Sequence, residues 1–215
     1  MRAIVHLLEY RIRPGHDAEV TGVLRHGLLA GPLPDGIVAR FAGRRLSGQG
    51  RQHFVATTWS DSAALSLAID EQGLPVYLAG QASLLGHVET SRYRLAASTG
   101  LGREGAKVVR LYRTSIAADA VESWERRAVE MIGRLVTMRG LLVAQAGVET
   151  DGEDVVLRVG DARIAVFTAW EEWDLLLAAT GGRLEKPLLD TELTDLEQPA
   201  RADHFQLLDG EPGPV

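Results

Sequence analysis

Apolar residues recur along this chain with two different periods, and the order of those periods repeats. Short β-branched and aliphatic stretches at residues 3–12 and 107–116 each predict a first strand. A helix is predicted after each strand. In the second half, apolar side chains recur at three- and four-residue steps over residues 120–138, and Asp119 is the expected N-cap. In the first half, the Pro14-Gly15 pair opens the helix.

The remaining elements follow in the same order in both halves. A glycine breaks the chain before a hairpin of two strands, a helix with acidic residues near its start follows, and a strand closes each half. In the first half we predict hairpin strands over 37–41 and up to Trp59, a helix over 60–69 and a closing strand over 88–95. In the second half we predict hairpin strands over 141–145 and up to Trp170, a helix over 171–179 and a closing strand over 204–208. The order β-α-β-β-α-β predicts an α+β chain of two ferredoxin-like units.

The two halves align as copies of one unit. A shift of 104 residues places Val5 on Val109 and Gly36 on Gly140, and a later shift of 111 places Trp59 on Trp170. The second copy has therefore gained seven residues in one hairpin. Because each copy has a tryptophan at this equivalent position, we interpret Trp59 and Trp170 as packing residues. We interpret Trp124, on the apolar stripe of the helix, as a core residue.

Glycine and proline content suggests where the copies begin and end. Residues 97–106 are glycine-rich and lack periodicity, which is typical of a linker. We predict a first repeat over 1–96, a second over 107–209 and a mobile tail over 210–215. The segment from Gly100 to Gly105 spells G-x-G-x-x-G, but a dinucleotide site needs a strand before it and a helix after it. Here the predicted strand 107–116 follows, so we reject a dinucleotide site.

Composition narrows the chemistry. The formal net charge is −6, so no global basic field favours nucleic acid or an anionic membrane as a partner. No apolar run has the ~20 residues of a transmembrane helix, and we expect a cytoplasmic protein. The chain has no cysteine, and its six histidines show no metal-ligand spacing. We expect neither a metal nor a protein-bound cofactor. The sequence leaves open whether the whole chain also forms a homo-oligomer.

Several segments together resemble the antibiotic biosynthesis monooxygenase family of dimeric α+β barrels. They are RIRPGHDAEV, PDGIVARFAGRR, FVATTWSDSAAL and IAVFTAWEEWDLL. Members of that family usually pair two chains, sheet against sheet, so the resemblance implies an intrachain pseudo-dimeric barrel here. It also implies cofactor-independent oxygenation of aromatic polyketides or quinols. The haem-degrading branch carries an asparagine where this chain has Tyr10 and Thr114, which argues against haem degradation.

Alternation along the first strands defines a candidate pocket. His6 and Tyr10 share one strand face, and the matching face of the second copy carries Arg110, Tyr112 and Thr114. We expect this face to line the barrel cavity, with His6 as a base and the other four residues as substrate-binding groups. The alternative interpretation is that all five are satisfied core or interface residues.

Two functions remain open at this stage. In the first, the cavity desolvates a small phenolic substrate, a base removes its proton, and the resulting anion reacts with oxygen without a cofactor. In the second, the same barrel is a non-catalytic protein that binds a small molecule or serves in assembly. Fold alone does not choose between them.

Overall fold

Strands make up most of the structure. The computed structural model describes residues 2–30, 35–46, 52–70, 73–100, 104–152, 154–158, 160–188 and 200–208. The strands are β1 (Ile4–Ile12), β2 (Ile37–Arg45), β3 (Gln52–Trp59), β4 (Leu85–Thr99), β5 (Val108–Ala117), β6 (Leu141–Glu149), β7 (Leu157–Arg158), β8 (Asp161–Trp170) and β9 (Arg201–Leu207). The helices are α1 (Asp17–Val23), which continues as a π-helical segment over Leu24–Leu29, α2 (Ser62–Ala68), α3 (Val76–Ala79), α4 (Val121–Leu135) and α5 (Trp173–Ala179).

Eight of these strands form one closed antiparallel barrel. The ladder runs β5-β9-β2-β3-β1-β4-β6-β8, and β8 pairs with β5 to close the ring, while the short β7 pairs with the outer part of β8. Each repeat contributes four neighbouring strands in the ferredoxin-like order, β2-β3-β1-β4 and β6-β8-β5-β9. The fourth strand of each repeat pairs with the second strand of the other. The predicted intrachain pseudo-dimeric barrel is therefore confirmed.

Strand register supports the alignment of the two repeats. Ile4 lies opposite Trp59 in the β1–β3 ladder, and Val108 lies opposite Trp170 in the β5–β8 ladder. These four residues are related by the shifts of 104 and 111. A register irregularity follows Ile37 in the first repeat and recurs at the equivalent Leu141 in the second.

Several predicted boundaries differ from the observed ones. Strand β4 runs through Thr99, so the start of the predicted linker at 97–106 is strand that pairs with β6. Asp119 lies in a 3₁₀ turn over Ala118–Ala120, and the residue preceding α4 is Ala120, whose side chain makes no capping bond. The prediction that Asp119 is the N-cap of α4 was therefore wrong. The predicted tail at 210–215 lies outside the described residues.

Two equivalent glycines begin the second strands. Gly36 and Gly140 adopt φ values of 84° and 79°, a left-handed conformation that side chains disfavour. Their positions also lack room, because a Cβ at Gly36 would lie 2.5 Å from the Cβ of Ala64. One at Gly140 would lie 2.3 Å from Leu175 Cδ1. Each glycine thus lets a second strand start directly beneath the second helix of its repeat.

Apolar side chains fill three layers. The barrel interior is one layer, and it draws buried residues from both repeats. The outer faces of the two sheets form the others, under α1 and α3 in the first repeat and under α4 in the second. Trp124 is 2% exposed in the layer under α4, as the helix stripe predicted. No helix in the described ranges is long and apolar enough to cross a membrane.

Candidate functional site

The interior of the barrel is filled by side chains. Val5, Leu7 and their equivalents Val109 and Leu111 point inward, together with paired phenylalanine rings. The space that Val5, Leu7 and Leu111 line in this interior is about 10 Å³, which is close to the minimum needed for one water molecule. This space is too small for an aromatic molecule.

The predicted pocket residues lie on the opposite strand face from the one expected. His6, Tyr10, Arg110 and Tyr112 point outward, toward the helices that cover the two sheets. The expectation that they line the barrel cavity was wrong. The physical reason is that helices bury the outer face as fully as closure buries the inner one, so apolar residues occupy both.

Arg110 is the centre of a polar cluster beneath the helices of the second repeat. The residue is 1% exposed, and its Nη2 donates to the backbone carbonyls of Lys186 and, at 3.3 Å, Leu184. Its guanidinium carbon lies 5.1 Å from the centroid of the Tyr112 ring, within cation–π range. His204 lies directly opposite Arg110 in the β5–β9 ladder.

A small cleft adjoins this cluster, and we call it the Arg110 pocket. Its walls combine Arg110 and Tyr112 with apolar side chains from α4, β8 and the segment that follows α5. They are Arg110, Tyr112, Met131, Leu135, Val166, Pro187 and Leu188. The free space is about 20 Å³, room for about one water molecule, so a larger ligand requires the segment over residues 184–188 to move.

Burial sets the charge states in the cluster. It lowers the pKa of Arg110 to about 10, which leaves the guanidinium charged at neutral pH. Burial, and next the Arg110 charge, lower the pKa of His204 to about 4, so its imidazole is neutral. Burial also raises the pKa of the Tyr112 hydroxyl. At neutral pH the cluster therefore contains one fixed cation beside a neutral imidazole and a neutral phenol, and the Glu185 charge acts on that cation in the direction that raises the Arg110 pKa.

Three buried polar atoms of this cluster have no hydrogen-bond partner among the described residues. They are Arg110 Nε, Tyr112 Oη and His204 Nε2. Buried polar groups are normally paired, because an unmade hydrogen bond costs about 1–3 kcal/mol. Two donors and an imidazole nitrogen left unpaired around a buried cation are suited to an anionic oxygen ligand.

The equivalent layer of the first repeat contains His6 and Tyr10. His6 is 1% exposed, bonds to the backbone of Gly73, and leaves Nε2 without a partner in the described structure. The Tyr10 ring stacks on His53 with centroids 5.8 Å apart. Burial raises the pKa of Tyr10, and the nearby Tyr77 adds to this effect. His6 and Arg110 hold equivalent positions and therefore lie in separate layers.

A histidine and an arginine face each other in both repeats, with their strands exchanged. His6 of β1 lies opposite Arg92 of β4, while Arg110 of β5 lies opposite His204 of β9. Our sequence analysis missed His204 as a site residue. Aligning the fourth strands, where His204 falls on Arg92, would have revealed the exchanged pair.

Thr114 lies farther along β5 and is not a lining residue of the Arg110 pocket. It contributes to a separate cleft at one end of the barrel. Among the described residues, no group of three or more histidine and carboxylate side chains could hold a metal ion.

The buried His6 predicts a specific dependence of stability on pH. Burial, and next the Arg92 charge, lower its pKa from 6.5 to about 4. As pH falls through this window, the unfolded chain takes up a proton that the native chain does not, so stability decreases. The loss approaches about 1.4 kcal/mol per pH unit, or about 3 kcal/mol in all. Urea denaturation between pH 7 and 5 measures this slope, which we expect His6→Gln to reduce.

The exposed His26 supplies the matched control, and His26→Gln should keep the wild-type slope. The slope left in His6→Gln should decrease further when His204→Gln is added, because the His204 pKa is lowered in the same direction. Equal slopes in wild type and His6→Gln would contradict a neutral buried His6.

Comparison with known proteins adds information on the fold. No family model matches the chain, and no curated protein matches it by sequence. Among solved structures, a provisionally named monooxygenase from Fusobacterium nucleatum superposes with a TM-score of 0.74 at 9% identity, over 97% of this chain and 93% of that one. This chain has the fold of an intrachain pseudo-dimeric α+β barrel. Because the match spans nearly all of both chains, the similarity extends across both repeats of the barrel.

Two further structures of the same fold have related descriptions. An anthrone oxidase-like protein matches with a TM-score of 0.63 at 7% identity, covering 99% of this chain and 95% of its own. A ferredoxin-fold protein from Listeria monocytogenes, related to antibiotic biosynthesis monooxygenases, matches with a TM-score of 0.51 at 10% identity, covering 97% and 95%. The predicted resemblance to monooxygenase-like barrels is thus confirmed for the fold.

Proposed function

We propose that this barrel is a cofactor-independent oxygenase that acts on a small planar aromatic molecule with a phenolic or enolic oxygen. The observation that carries the proposal is the Arg110 pocket, which a buried cation and a tyrosine line, beside the neutral imidazole of His204 on the neighbouring strand; each of the three has a buried polar atom without a partner among the described residues. Neighbours described as monooxygenase and anthrone oxidase-like support this class of chemistry, and their names do not identify the substrate of this chain.

Each residue of the cluster has a chemical role in this proposal. Arg110 binds the oxygen of the aromatic anion through a charge-assisted hydrogen bond, with Tyr112 as a second donor. His204, neutral at physiological pH, accepts the proton that the substrate loses. The negative charge of the substrate anion then raises the pKa of His204, because it offsets the effects of burial and of the Arg110 charge. Apolar walls keep water away from the anion.

Molecular oxygen is the co-reactant. For a substrate with an activated methylene group, the anion transfers an electron to oxygen, and recombination of the substrate radical with superoxide forms a carbon–oxygen bond. The peroxide then takes back the proton that His204 accepted. Loss of water from the resulting hydroperoxide leaves a carbonyl. One oxygen atom enters the product and the other leaves as water, so the four-electron oxidation of the methylene balances the reduction of O₂.

His6 stays a second candidate base. It lies in the other repeat, where its Nε2 is also unpaired, but its arginine partner Arg92 is more exposed than Arg110. The bonds from Arg110 to the carbonyls of Leu184 and Lys186 favour a different function. In that alternative Arg110 holds the 184–188 segment in place, and the barrel binds a small molecule without reacting.

Binding and turnover of an aromatic probe separate these proposals. We expect a hydroxylated anthraquinone to quench tryptophan fluorescence, since Trp173 packs edge-on against His204 with ring centroids 5.6 Å apart. Arg110→Gln should lower the affinity about tenfold or more, as loss of a charge-assisted hydrogen bond costs ~1.5–3 kcal/mol. His204→Gln should still bind, and it should reduce oxygen uptake with the corresponding anthrone by about 10²-fold.

The first repeat supplies matched controls, because His6→Gln and Arg92→Gln alter the equivalent positions. Both should leave binding and oxygen uptake unchanged if the Arg110 pocket is the site. A loss of uptake in His6→Gln alone would move the reaction to the first repeat. Binding without any oxygen uptake would support the non-catalytic alternative, and absence of binding would contradict a site for aromatic anions in the Arg110 pocket.

A further inference from the structure

One end of the barrel opens into a polar cleft that the proposed function does not use. This mouth cleft is formed by residues at the ends of β4, β5, β8 and β9, most of which face inward; Thr114 and Ile164 line it from the outer strand face. Its free space is about 220 Å³, far more than the filled interior holds. Tyr93, a residue of the barrel core, separates the cleft from that interior. The mouth cleft is therefore a shallow, closed-ended site, and it lies on the opposite face of β5 from Arg110.

The wall supplied by the second repeat is basic. Arg113 lies directly opposite Arg201 in the β5–β9 ladder, and Arg163 lies opposite Ser115 in the β5–β8 ladder. Like charges on directly opposed strand positions destabilise a sheet. Asp203 relieves part of this repulsion, since it accepts from Arg113 Nη2 at 2.6 Å and from Arg201 Nε at 2.8 Å.

Two of these arginines keep donors available to the cleft. Arg201 uses Nε for its bond to Asp203, and its side chain is 54% exposed. Arg163 is 43% exposed, and its contact with Glu149 is 3.8 Å, too long for a hydrogen bond. A guanidinium presents five N–H donors in a planar fork, which matches carboxylate and phosphate oxygens.

The wall supplied by the first repeat has the opposite charge. Glu9 and Glu89 lie directly opposite each other in the β1–β4 ladder, at the positions equivalent to Arg113 and Arg201. Glu9 is paired with Arg113 across the barrel, whereas Glu89 is exposed and lines the mouth cleft. Both repeats thus place like charges side by side at one end of the barrel, a local conflict of the kind that proteins retain at functional sites.

We propose that the mouth cleft binds a small zwitterion. Its anionic group, a carboxylate or phosphate, lies against Arg163 and Arg201, and its ammonium group lies against Glu89. The two opposed walls explain the requirement for both charges, because an anion alone leaves Glu89 unneutralised and a cation alone leaves the arginines unneutralised. Ser115, between the arginines, offers a neutral hydroxyl to the anionic group.

Isothermal titration calorimetry with three probes tests this proposal on the full chain. Phosphoethanolamine carries both charges, inorganic phosphate carries the anionic part and ethanolamine the cationic part. We expect phosphoethanolamine to bind about tenfold more tightly than phosphate at low ionic strength, and ethanolamine to give no heat of binding. Arg163→Gln should lower the phosphoethanolamine affinity about tenfold, and Glu89→Gln should abolish its preference over phosphate.

Two controls make the result specific. Arg158→Gln removes an arginine that is 56% exposed near the same end of the barrel but is not a lining residue, and it should bind like the wild type. Arg110→Gln should also keep this binding, which separates the mouth cleft from the Arg110 pocket. Equal affinity for phosphate and phosphoethanolamine, no binding of either, or unchanged binding in a folded Arg163→Gln would each overturn the proposal.

Discussion

Replacing Trp59 or Trp170 by alanine is expected to lower the free energy of unfolding by about 3–5 kcal/mol, as truncation of a large buried aromatic residue does. Trp59 is 2% exposed and Trp170 is fully buried. Each indole donates to a threonine hydroxyl two residues earlier, at 2.8 Å to Thr57 and 3.0 Å to Thr168. The identical arrangement in both repeats identifies packing against the second helix as their role.

Urea denaturation followed by circular dichroism measures this effect. Thr57→Val separates the packing and hydrogen-bond contributions, since it removes the acceptor of the Trp59 indole and should cost about 1–3 kcal/mol. Thr168→Val also removes the bond from the Thr168 hydroxyl to the Arg110 carbonyl, so its cost includes both bonds. Trp59→Phe should fall between the wild type and Trp59→Ala. Alanine variants with wild-type midpoints and weakened binding of an aromatic probe would instead make the tryptophans ligand-binding residues.

Replacing Arg113 by methionine should cost a similar amount, about 3–5 kcal/mol, because the change leaves the buried Glu9 carboxylate without its cation, whereas Asp203 keeps Arg45 and Arg201. Arg113 bonds to both carboxylate oxygens of Glu9 and to Asp203, which are 4% and 0% exposed at their side chains. Glu9 and Arg113 occupy equivalent positions in the two repeats. A repeat paired with its own copy would place like charges there, whereas this chain places opposite ones.

A second substitution tests whether an uncompensated charge causes the loss. Adding Glu9→Gln to Arg113→Met should recover part of the stability, since the unpaired carboxylate disappears. Arg158→Met alters a 3.8 Å contact between an exposed arginine and Glu149, which Arg163 also approaches at 3.8 Å, and should change stability by less than about 1 kcal/mol. If the double variant is less stable than Arg113→Met alone, packing of the arginine side chain rather than charge pairing would account for the cost.

Local patterns in the sequence determined the order of the elements and the equivalence of the repeats. Strand and helix periods depend on neighbouring residues, so the β-α-β-β-α-β order was readable without long-range information. Gly36 and Gly140 marked the second strands because a left-handed conformation is a local requirement. Matched tryptophans aligned the third strands and predicted which large side chains would be buried.

Only the tertiary structure decided which strand face lies inside the barrel. On β1 and β5 both alternating sets of residues are mostly apolar, since barrel closure buries one face and the helices bury the other. A two-residue period assigns the residues of a strand to two faces, but it does not indicate which face lies inside the barrel. The predicted residues Arg110 and Tyr112 consequently lie at a cleft under the helices, and their role in binding stays a prediction.

The juxtapositions that define both sites also required the folded chain. His204 comes beside Arg110, and Arg201 beside Arg113, because β9 pairs with β5 across some ninety residues of sequence. Glu9 meets Arg113 only because the seams between the repeats close the ring. The sequence determined the elements and the copies through short-range periodicity, whereas strand pairing and barrel closure, which depend on contacts distant in sequence, decided which charged and polar groups face one another.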